Sequence, residues 1–297
     1  MIEAAPAALS GKELERSAHS AVTLQRVVNG AAVVVLGIGA VLMILPFMWM
    51  FSTSLRPITE SYKLPPAWFP TEFHWETYTA VFQSSVPVIQ FAANSVKVTF
   101  FVTLGQLITC SMAGFAFARL RFPFRNLLFL LLLASLMVPG QVTIIPVFII
   151  MRNLGLVDSH LSIILPFLTS AFGVFLLRQF FLTLPQDLID AAKIDGAGAW
   201  TTFLRVALPL AGPSLAALTI ISFNNTWNNY FYPLVFLNTW EKMTLPLGIT
   251  ALRGYMASNS ASVVMAAVSL AILPVLLVFL LAQRWFIAGI TRTGIKG

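Results

Sequence analysis

Long stretches without charged side chains dominate the pattern of hydrophobic and polar positions. Lys, Arg, Asp and Glu are absent from six of them, at 27–55, 98–118, 126–151, 159–177, 206–240 and 254–283. Each contains an apolar run of about 18 or more residues, which is long enough to cross a bilayer as a helix. Such segments must be helical, because lipid offers the backbone no hydrogen-bond partner. The pattern therefore predicts six spans, at about 27–52, 91–118, 127–151, 161–182, 211–237 and 261–284.

The composition agrees with an all-α membrane protein. Of the 297 residues, 58% are hydrophobic and only 10% are charged, and the mean hydropathy is +0.85. We expect a cytoplasmic leader at 1–26, without the features of a cleaved signal peptide, followed by one membrane domain at 27–297. In the third span, "MVPGQVTIIP" is expected to bend or break the helix at Gly140, with Pro139 and Pro146.

The placement of basic residues predicts the orientation in the membrane. With the N-terminus inside, twelve of the 18 Lys and Arg residues lie on the inner side, and three of them fall in the turn "RLRFPFR" at 119–125. Cytoplasmic loops of membrane proteins carry the excess of Lys and Arg, so both termini are expected to be cytoplasmic. The net charge of +7 is then explained by topology, and a nucleic-acid partner is not indicated.

A polar insert, "DLIDAAKIDGAGAWTTFLRVALPLAGP" at 187–213, separates the fourth and fifth spans. Pro185 precedes it and Asp187 is a candidate helix cap. "LIDAAKI" and "AWTTFLRVAL" predict two short helices joined by a turn at Gly196 and Gly198, with Pro209 ending the second. The result is a compact knob on the cytoplasmic side. It either docks in a partner protein or merely connects two spans.

The insert resembles the EAA loop of permeases from binding-protein-dependent ABC importers. The matching residues run in the family's order: Asp190, Ala191, Ala192, Asp195, Gly196, Ala197, Phe203, Leu208 and Pro209. The resemblance implies that 185–210 is a coupling loop that seats in an ATPase subunit. The chain departs from the pattern at Asp190, where the family has a glutamate that is one methylene longer.

Other segments resemble the carbohydrate branch of the same family. They are "TYTAVF…FAANSVKVTF" at 77–100, "TWNNYFYPL" at 226–234 and "GITRTGIKG" at 289–297. The last is similar to the end of the second maltose-type permease subunit, and it implies a tail at 285–297 that contacts the ATPase through Thr291, Gly294, Lys296 and Gly297. The resemblance further implies the type I importer (MetI-like) fold and a bacterial plasma membrane. The implied partners are a second, non-identical permease, two ATP-binding subunits and an extracytoplasmic solute-binding protein.

Catalytic machinery is not visible in the sequence. No Gly-x-x-x-x-Gly-Lys-Ser/Thr motif occurs, so we expect a non-catalytic subunit whose partner ATPases bind ATP and Mg²⁺. His19, His74 and His160 lack metal-ligand spacing, and the single Cys110 excludes an intrachain disulfide. All eleven carboxylates lie outside the predicted spans. This placement argues against a proton- or sodium-coupled carrier, since such carriers commonly use intramembrane carboxylates.

The fifth span contains the best candidates for a solute pathway, because amides and aromatic rings suit ligands rich in hydroxyl groups. The candidates are Asn224, Asn225, Trp227, Asn228, Asn229 and Tyr230, together with Asn94 in the second span. Hydrogen bonding between helices is the alternative role for the asparagines. The loop at 238–260, with Trp240, Arg253 and Tyr255, either contacts the solute-binding protein or is an ordinary connector.

The sequence thus favours a permease subunit of an ATP-driven importer for sugars or oligosaccharides. One alternative is an importer of a charged solute, such as a glycerol phosphate or acidic oligosaccharide, with Arg56, Lys63, Lys97 and Arg253 facing the solute. Another alternative is an ATP-independent carrier.

Overall fold

The computed structural model describes residues 11–57, 68–70, 72–255 and 261–293, and these residues contain helices and turns but no β-strand. The longest helices are α1 and α3 in the first half of the chain and α14 at its end. The α-helices, in chain order, are α1 Gly11–Ser54, α2 Glu76–Gln83, α3 Val88–Arg119, α4 Arg125–Ser135, α5 Gly140–Asn153, α6 Leu161–Ile164, α7 Ala171–Thr183, α8 Gln186–Ile194, α9 Ala199–Thr202, α10 Leu208–Leu210, α11 Gly212–Trp227, α12 Phe231–Phe236, α13 Leu245–Tyr255 and α14 Ala261–Thr293.

The helices of the described residues account for the expected membrane spans. Four segments are long and apolar enough to cross a bilayer: Gln25–Ser54, Val88–Arg119, Leu161–Thr183 and Ala261–Arg284. Two further spans arise if each bent helix pair is counted as one, which gives six. The prediction of an all-helical, multi-span membrane protein is confirmed.

The third span is broken between α4 and α5, which are bent by 103°. Helix α4 ends at Ser135. Pro139 takes an extended conformation at the N-cap of α5 and has no N–H with which to continue the helix across the break. The hydroxyl of Tyr232 donates a hydrogen bond to the Gly140 carbonyl oxygen over 3.3 Å, which supplies a partner close to the break. Pro146, in contrast, lies inside α5 without ending it.

Several helix ends differ from the sequence-based expectations. α1 begins at Gly11, so the helix of the first span also includes part of the predicted leader at 1–26. The second helical stretch of the insert continues through Pro209 to Leu210 by way of a π-helical turn at Phe203–Ala207. Asp187 lies in the first turn of α8 and does not cap it, because Pro185 occupies the N-cap position.

The helix of the predicted fifth span is interrupted, because α11 ends at Trp227 and α12 begins at Phe231. The Asn228 amide donates to the Asn224 carbonyl oxygen over 3.0 Å, and the Asn229 side-chain oxygen accepts from the Tyr232 backbone N–H over 3.2 Å. Asparagine amides that compete for backbone groups in this way end helices and start new ones.

The core lies around α3, which packs against α7 and α11. Small residues allow this close approach. A Cβ added to Gly114 would lie 2.9 Å from the Leu177 Cβ atom, and one on Gly173 would lie 2.8 Å from the Cys110 sulfur. Cys110 is fully buried in this contact. Helix α1 packs along α14 at the edge of the bundle. Most apolar side chains of its described part, from residue 25 onward, are exposed, as suits a helix that faces lipid or another membrane subunit.

Candidate functional site

The polar insert folds as two short helical segments joined by a tight turn. Helix α8 ends at Ile194, and Gly196 then adopts a φ of +80°, a conformation that glycine reaches without steric cost. The Gly196 N–H donates to the Lys193 carbonyl oxygen over 3.0 Å, and the Ala197 N–H donates to that of Ala192 over 2.9 Å. These bonds cap α8 and direct the chain back toward the bundle through α9.

One side of the insert is anchored in the bundle. Ile189, Ala192 and Phe203 are buried, and the Phe203 ring lies 5.3 Å from that of Phe115 on α3 and 6.5 Å from that of Phe181 on α7. Of the predicted coupling residues, Ala192 and Phe203 therefore serve as anchors. Ala191, Asp195, Gly196 and Pro209 are exposed, whereas Asp190, Ala197 and Leu208 are half-buried.

Three large apolar side chains of the insert are exposed, and together they are called the apolar tip. Ile194 is 86% exposed, Trp200 is 57% exposed and Leu188 is 43% exposed. The exposed carboxylates of Asp187 and Asp195 lie beside them along the chain. Large apolar side chains at the tip of a polar segment are typical of an interaction site.

Asp190 is held by neighbours within its own helix. Its carboxylate accepts hydrogen bonds from the Lys193 ammonium group over 2.9 Å and from the Gln186 amide over 3.0 Å. These two bonds, led by that of Lys193, hold the pKa of Asp190 below its usual value. The carboxylate is therefore charged at neutral pH and fixed in orientation.

Arg119 connects this helix to the bundle. From the last turn of α3, its guanidinium donates to the Phe181 carbonyl oxygen over 2.6 and 2.9 Å, to that of Leu184, and to the Gln186 side-chain oxygen over 2.7 Å. The carbonyls belong to the end of α7, where a helix leaves backbone acceptors without partners. A chain of contacts thus runs from Arg119 through Gln186 to Asp190. Sequence reasoning treated Arg119 only as a topological charge, although a basic residue in a last helical turn is a capping signal.

A cavity of about 460 Å³ lies among α3, the interruption between α6 and α7, α11 and the segment before α13. Asn225 and Asn229, two of the predicted pathway residues, line it. Its other polar lining residues are Gln106, Thr169, Ser170, Ser222, Thr226 and Thr244.

The remaining pathway candidates lie outside the lining of this cavity. Asn224 and Asn228 are exposed and bond to each other over 3.0 Å. Trp227 is buried in the core, where its ring stacks on Phe223 and its indole N–H donates to the Ala271 carbonyl oxygen over 2.9 Å. This contact assigns Trp227 to packing between α11 and α14.

Tyr230 and Asn94 are also separate from the cavity. Tyr230 is 39% exposed just before α12. The Asn94 amide donates to the carbonyl oxygens of Glu241 and Met243 over 2.8 and 2.9 Å, so it fastens α3 to the segment before α13. The sequence suggested a single pathway because these residues are amides and aromatics that lie mostly close together in the chain. The structure places Asn225 and Asn229 at the cavity and the other candidates elsewhere.

The predicted contact loop at 238–260 is largely helical, because α13 occupies Leu245–Tyr255 with Leu245, Leu247 and Leu252 buried. Trp240 is half-buried, with its ring 5.4 Å from that of Phe91. Arg253 and Tyr255 lie in α13, and their side chains are outside the described residues. Thr291 lies in α14 by its backbone, whereas Gly294, Lys296 and Gly297 fall outside the described residues.

Asp158 organises the start of this segment, a role that sequence reasoning missed. Its carboxylate accepts from the backbone N–H groups of Asn238 and Thr239 over 2.9 and 2.8 Å, from the Thr239 hydroxyl, and from the Lys242 ammonium group over 2.9 Å. These bonds, led by that of the Thr239 hydroxyl, lower the pKa of Asp158 far below its usual range. Asp158 also adopts a φ of +59°, which aspartate tolerates better than most residues.

Residues 105–292 match the family described as "Binding-protein-dependent transport system inner membrane component". The chain belongs to this family, which confirms its resemblance to the permeases of binding-protein-dependent importers. The protein is therefore a membrane component of a transport system.

Individual relatives agree with this assignment. The chain is 35% identical to the arabinooligosaccharides transport system permease protein AraQ of Halalkalibacterium halodurans, over 87% of this chain and 93% of that protein. It is also 35% identical to the sn-glycerol-3-phosphate transport system permease protein UgpE of Yersinia enterocolitica, over 86% of this chain and 94% of that protein. A crystal structure of a bacterial ABC transporter involved in the import of the acidic polysaccharide alginate superimposes with a TM-score of 0.76 at 26% identity, over 88% of this chain and 97% of that chain.

Proposed function

We propose that this chain is one of two non-identical permease subunits in an ATP-driven importer of sugars or oligosaccharides, in a bacterial plasma membrane. Both termini and the insert face the cytoplasm, where two ATP-binding subunits supply ATP, Mg²⁺ and hydrolysis. An extracytoplasmic binding protein delivers the solute to the other side. The observation that carries the proposal is the insert, which combines an exposed apolar tip with anchors in α3 and α7.

The anchors explain how motion of the ATPases reaches the pathway. Phe203 packs against both α3 and α7, and Arg119 ties the start of α8 to the ends of the same two helices. Residues from α3 and α7 also line the cavity. Closure of the ATPases on ATP would therefore move the insert and these helices together. The cavity would turn outward, and hydrolysis would reset it.

The relatives include permeases for a neutral and for an anionic solute, so a charged solute is the second candidate. Lys97 lines a concavity with His160 and Lys242. Lys242, however, is paired with Asp158, and burial lowers the pKa of His160, so the imidazole is neutral at pH 7. Arg56 is buried, with its guanidinium 4.9 Å from the Trp49 ring, and Lys63 lies outside the described residues. Lys97 is the one candidate cation that the described residues leave exposed at this concavity, so they give an anionic solute less support than a neutral one.

The docking role of the insert is tested by Ile194→Glu, which places a charge at the tip without touching the anchors. We expect the ATPase subunits to be lost on purification of the complex, because the charge would be buried unpaired in the interface. Phe73→Glu is the matched control, since Phe73 is 67% exposed and precedes α2, far from the insert in the chain. Retention of the ATPases by the Ile194 variant would show that the insert is only a connector.

A further inference from the structure

The cavity beside α11 lies at mid-depth in the bundle. Gln106 in its wall is about 20 Å from Arg119 at the insert end of α3, taking a rise of about 1.5 Å per residue. Its volume of about 460 Å³ falls within the range of small-molecule sites, about 300 to 1,000 Å³. Both its position and its size suit one unit of a transported solute.

The chemistry of the cavity wall is neutral. None of the described residues that line it is Lys, Arg, His, Asp or Glu. Hydroxyl and amide groups are set among apolar surfaces that include the rings of Phe167 and Phe172. Such a wall offers hydrogen bonds to hydroxyl groups and apolar faces to the C–H faces of a sugar ring. A carboxylate or phosphate placed there would meet no cation from this wall, and burying an unpaired charge is strongly unfavourable.

Thr244 gives the wall a specific hydrogen-bonding group. The residue is 4% exposed, and its hydroxyl oxygen has no hydrogen-bond partner among the described residues. Its backbone is fixed, because its carbonyl oxygen accepts from the Gly248 N–H over 2.8 Å and the next N–H, of Leu245, donates to the Ser95 hydroxyl over 2.7 Å. A buried hydroxyl held this rigidly needs a partner to offset its desolvation.

Asn225 faces the same cavity from α11. Its amide makes no hydrogen bond to the described residues, in contrast to Asn229, whose side-chain oxygen is already taken by the Tyr232 N–H. Thr244 and Asn225 thus supply donors and acceptors that the fold itself does not use.

We propose that this cavity binds an uncharged polyhydroxylated group, such as one ring of a neutral oligosaccharide, and that Thr244 and Asn225 hydrogen-bond its hydroxyl groups. The proposal rests on the proposed function and narrows it in two ways. It makes this subunit a direct contact of the solute, and it excludes an anionic solute unit from this subsite.

The test uses the complete importer with its binding protein in nanodiscs, and measures ATPase activity stimulated by solute. One panel contains neutral arabino-, xylo- and malto-oligosaccharides, and the other contains oligogalacturonates, oligoalginates and sn-glycerol 3-phosphate. We expect stimulation from a member of the neutral panel. Thr244→Val should raise its half-maximal concentration about tenfold, as expected for the loss of one buried hydrogen bond to a ligand. Asn225→Ala should raise the half-maximal concentration as well. It serves as a second variant because Asn225 is exposed and makes no hydrogen bond to the described residues.

Thr250→Val is the matched control. Thr250 lies on α13 and is exposed, and its hydroxyl donates to the nearby Leu247 carbonyl oxygen over 2.7 Å. We expect Thr250→Val to change the half-maximal solute concentration less than twofold. Stimulation confined to the anionic panel, no stimulation by the neutral panel, or unchanged half-maximal concentrations in both cavity variants would overturn the proposal. Stimulation by an anionic solute would leave the importer function intact, whereas loss of the ATPase subunits from the unaltered complex would contradict the proposed function itself.

Discussion

Replacement of Arg119 by glutamine should uncouple the insert from the bundle. The change removes the hydrogen bonds to the Phe181 and Leu184 carbonyl oxygens and the 2.7 Å contact with Gln186. A hydrogen bond from a charged donor contributes about 1.5 to 3 kcal/mol. Because Arg119 is only half-buried, solvent screening reduces the effect, and we take about 1.5 kcal/mol for the set. That value corresponds to about a tenfold larger population in which the start of α8 is detached.

Hydrogen exchange of the assembled complex measures this population directly. In Arg119→Gln, the amides of α8 at 186–194 should exchange about tenfold faster than in the unaltered protein, while those of α3 change little. ATPase stimulation by solute should fall, although the ATPase subunits stay bound to the exposed tip. Gln186→Ala should reproduce part of the effect, because it cuts the link to Asp190 but leaves the guanidinium on the α7 carbonyls.

Arg121→Gln is the matched control for this experiment. It removes the same charge two residues away, from an exposed side chain in the same turn. Arg119→Lys should restore little, because an ammonium group cannot reach several acceptors with the planar geometry of a guanidinium. Equal exchange rates for α8 in the Arg119 and Arg121 glutamine variants would show that the hydrogen bonds of Arg119 do not hold α8 on the bundle.

Two further predictions concern the other end of the bundle and the core. Asp158→Asn should lower the thermal stability of the purified complex at pH 7. Folding lowers the pKa of Asp158. The contribution of its carboxylate to stability is therefore complete above the unfolded-state pKa of about 4, and this contribution is lost as the pH falls below that value. The difference in melting temperature between Asp158→Asn and the unaltered protein should therefore be constant from pH 7 to 5 and shrink below about pH 4. A difference in melting temperature that grows on acidification would contradict this prediction. Trp227→Phe removes the 2.9 Å bond to the Ala271 carbonyl oxygen, so it should lower the melting temperature but leave the half-maximal solute concentration unchanged; an increase in that concentration instead would place Trp227 in the pathway.

The spans and the insert could be predicted from sequence because both depend on local composition. Apolar runs between charges are sufficient to indicate membrane helices, and the glycines of the insert mark its turn directly, as the positive φ of Gly196 shows. The break before α5 was also predictable, since Pro139 and Gly140 interrupt the backbone ladder within a few residues.

The contacts that organise the site could not be predicted in this way, because they join distant residues. Arg119 and Gln186 are 67 positions apart, and Asp158 and Lys242 are 84 apart. Asn225 lines the cavity, whereas Asn224 and Trp227 do not. This difference depends on which face of α11 carries each side chain and on where α11 ends. Asparagine amides that compete for backbone hydrogen bonds determine where α11 ends, and the hydropathy of the sequence does not reveal this competition.

Solute uptake by proteoliposomes tests whether this chain works as part of an ATP-driven importer. The purified permease pair and ATPases are reconstituted with ATP enclosed on the ATPase side, and the loaded binding protein is added on the other. We expect labelled oligosaccharide to accumulate only with ATP, and we expect enclosed ADP or omission of the ATPase subunits to abolish uptake. Accumulation that persists without the ATPases would contradict the importer function and identify the chain as an ATP-independent carrier.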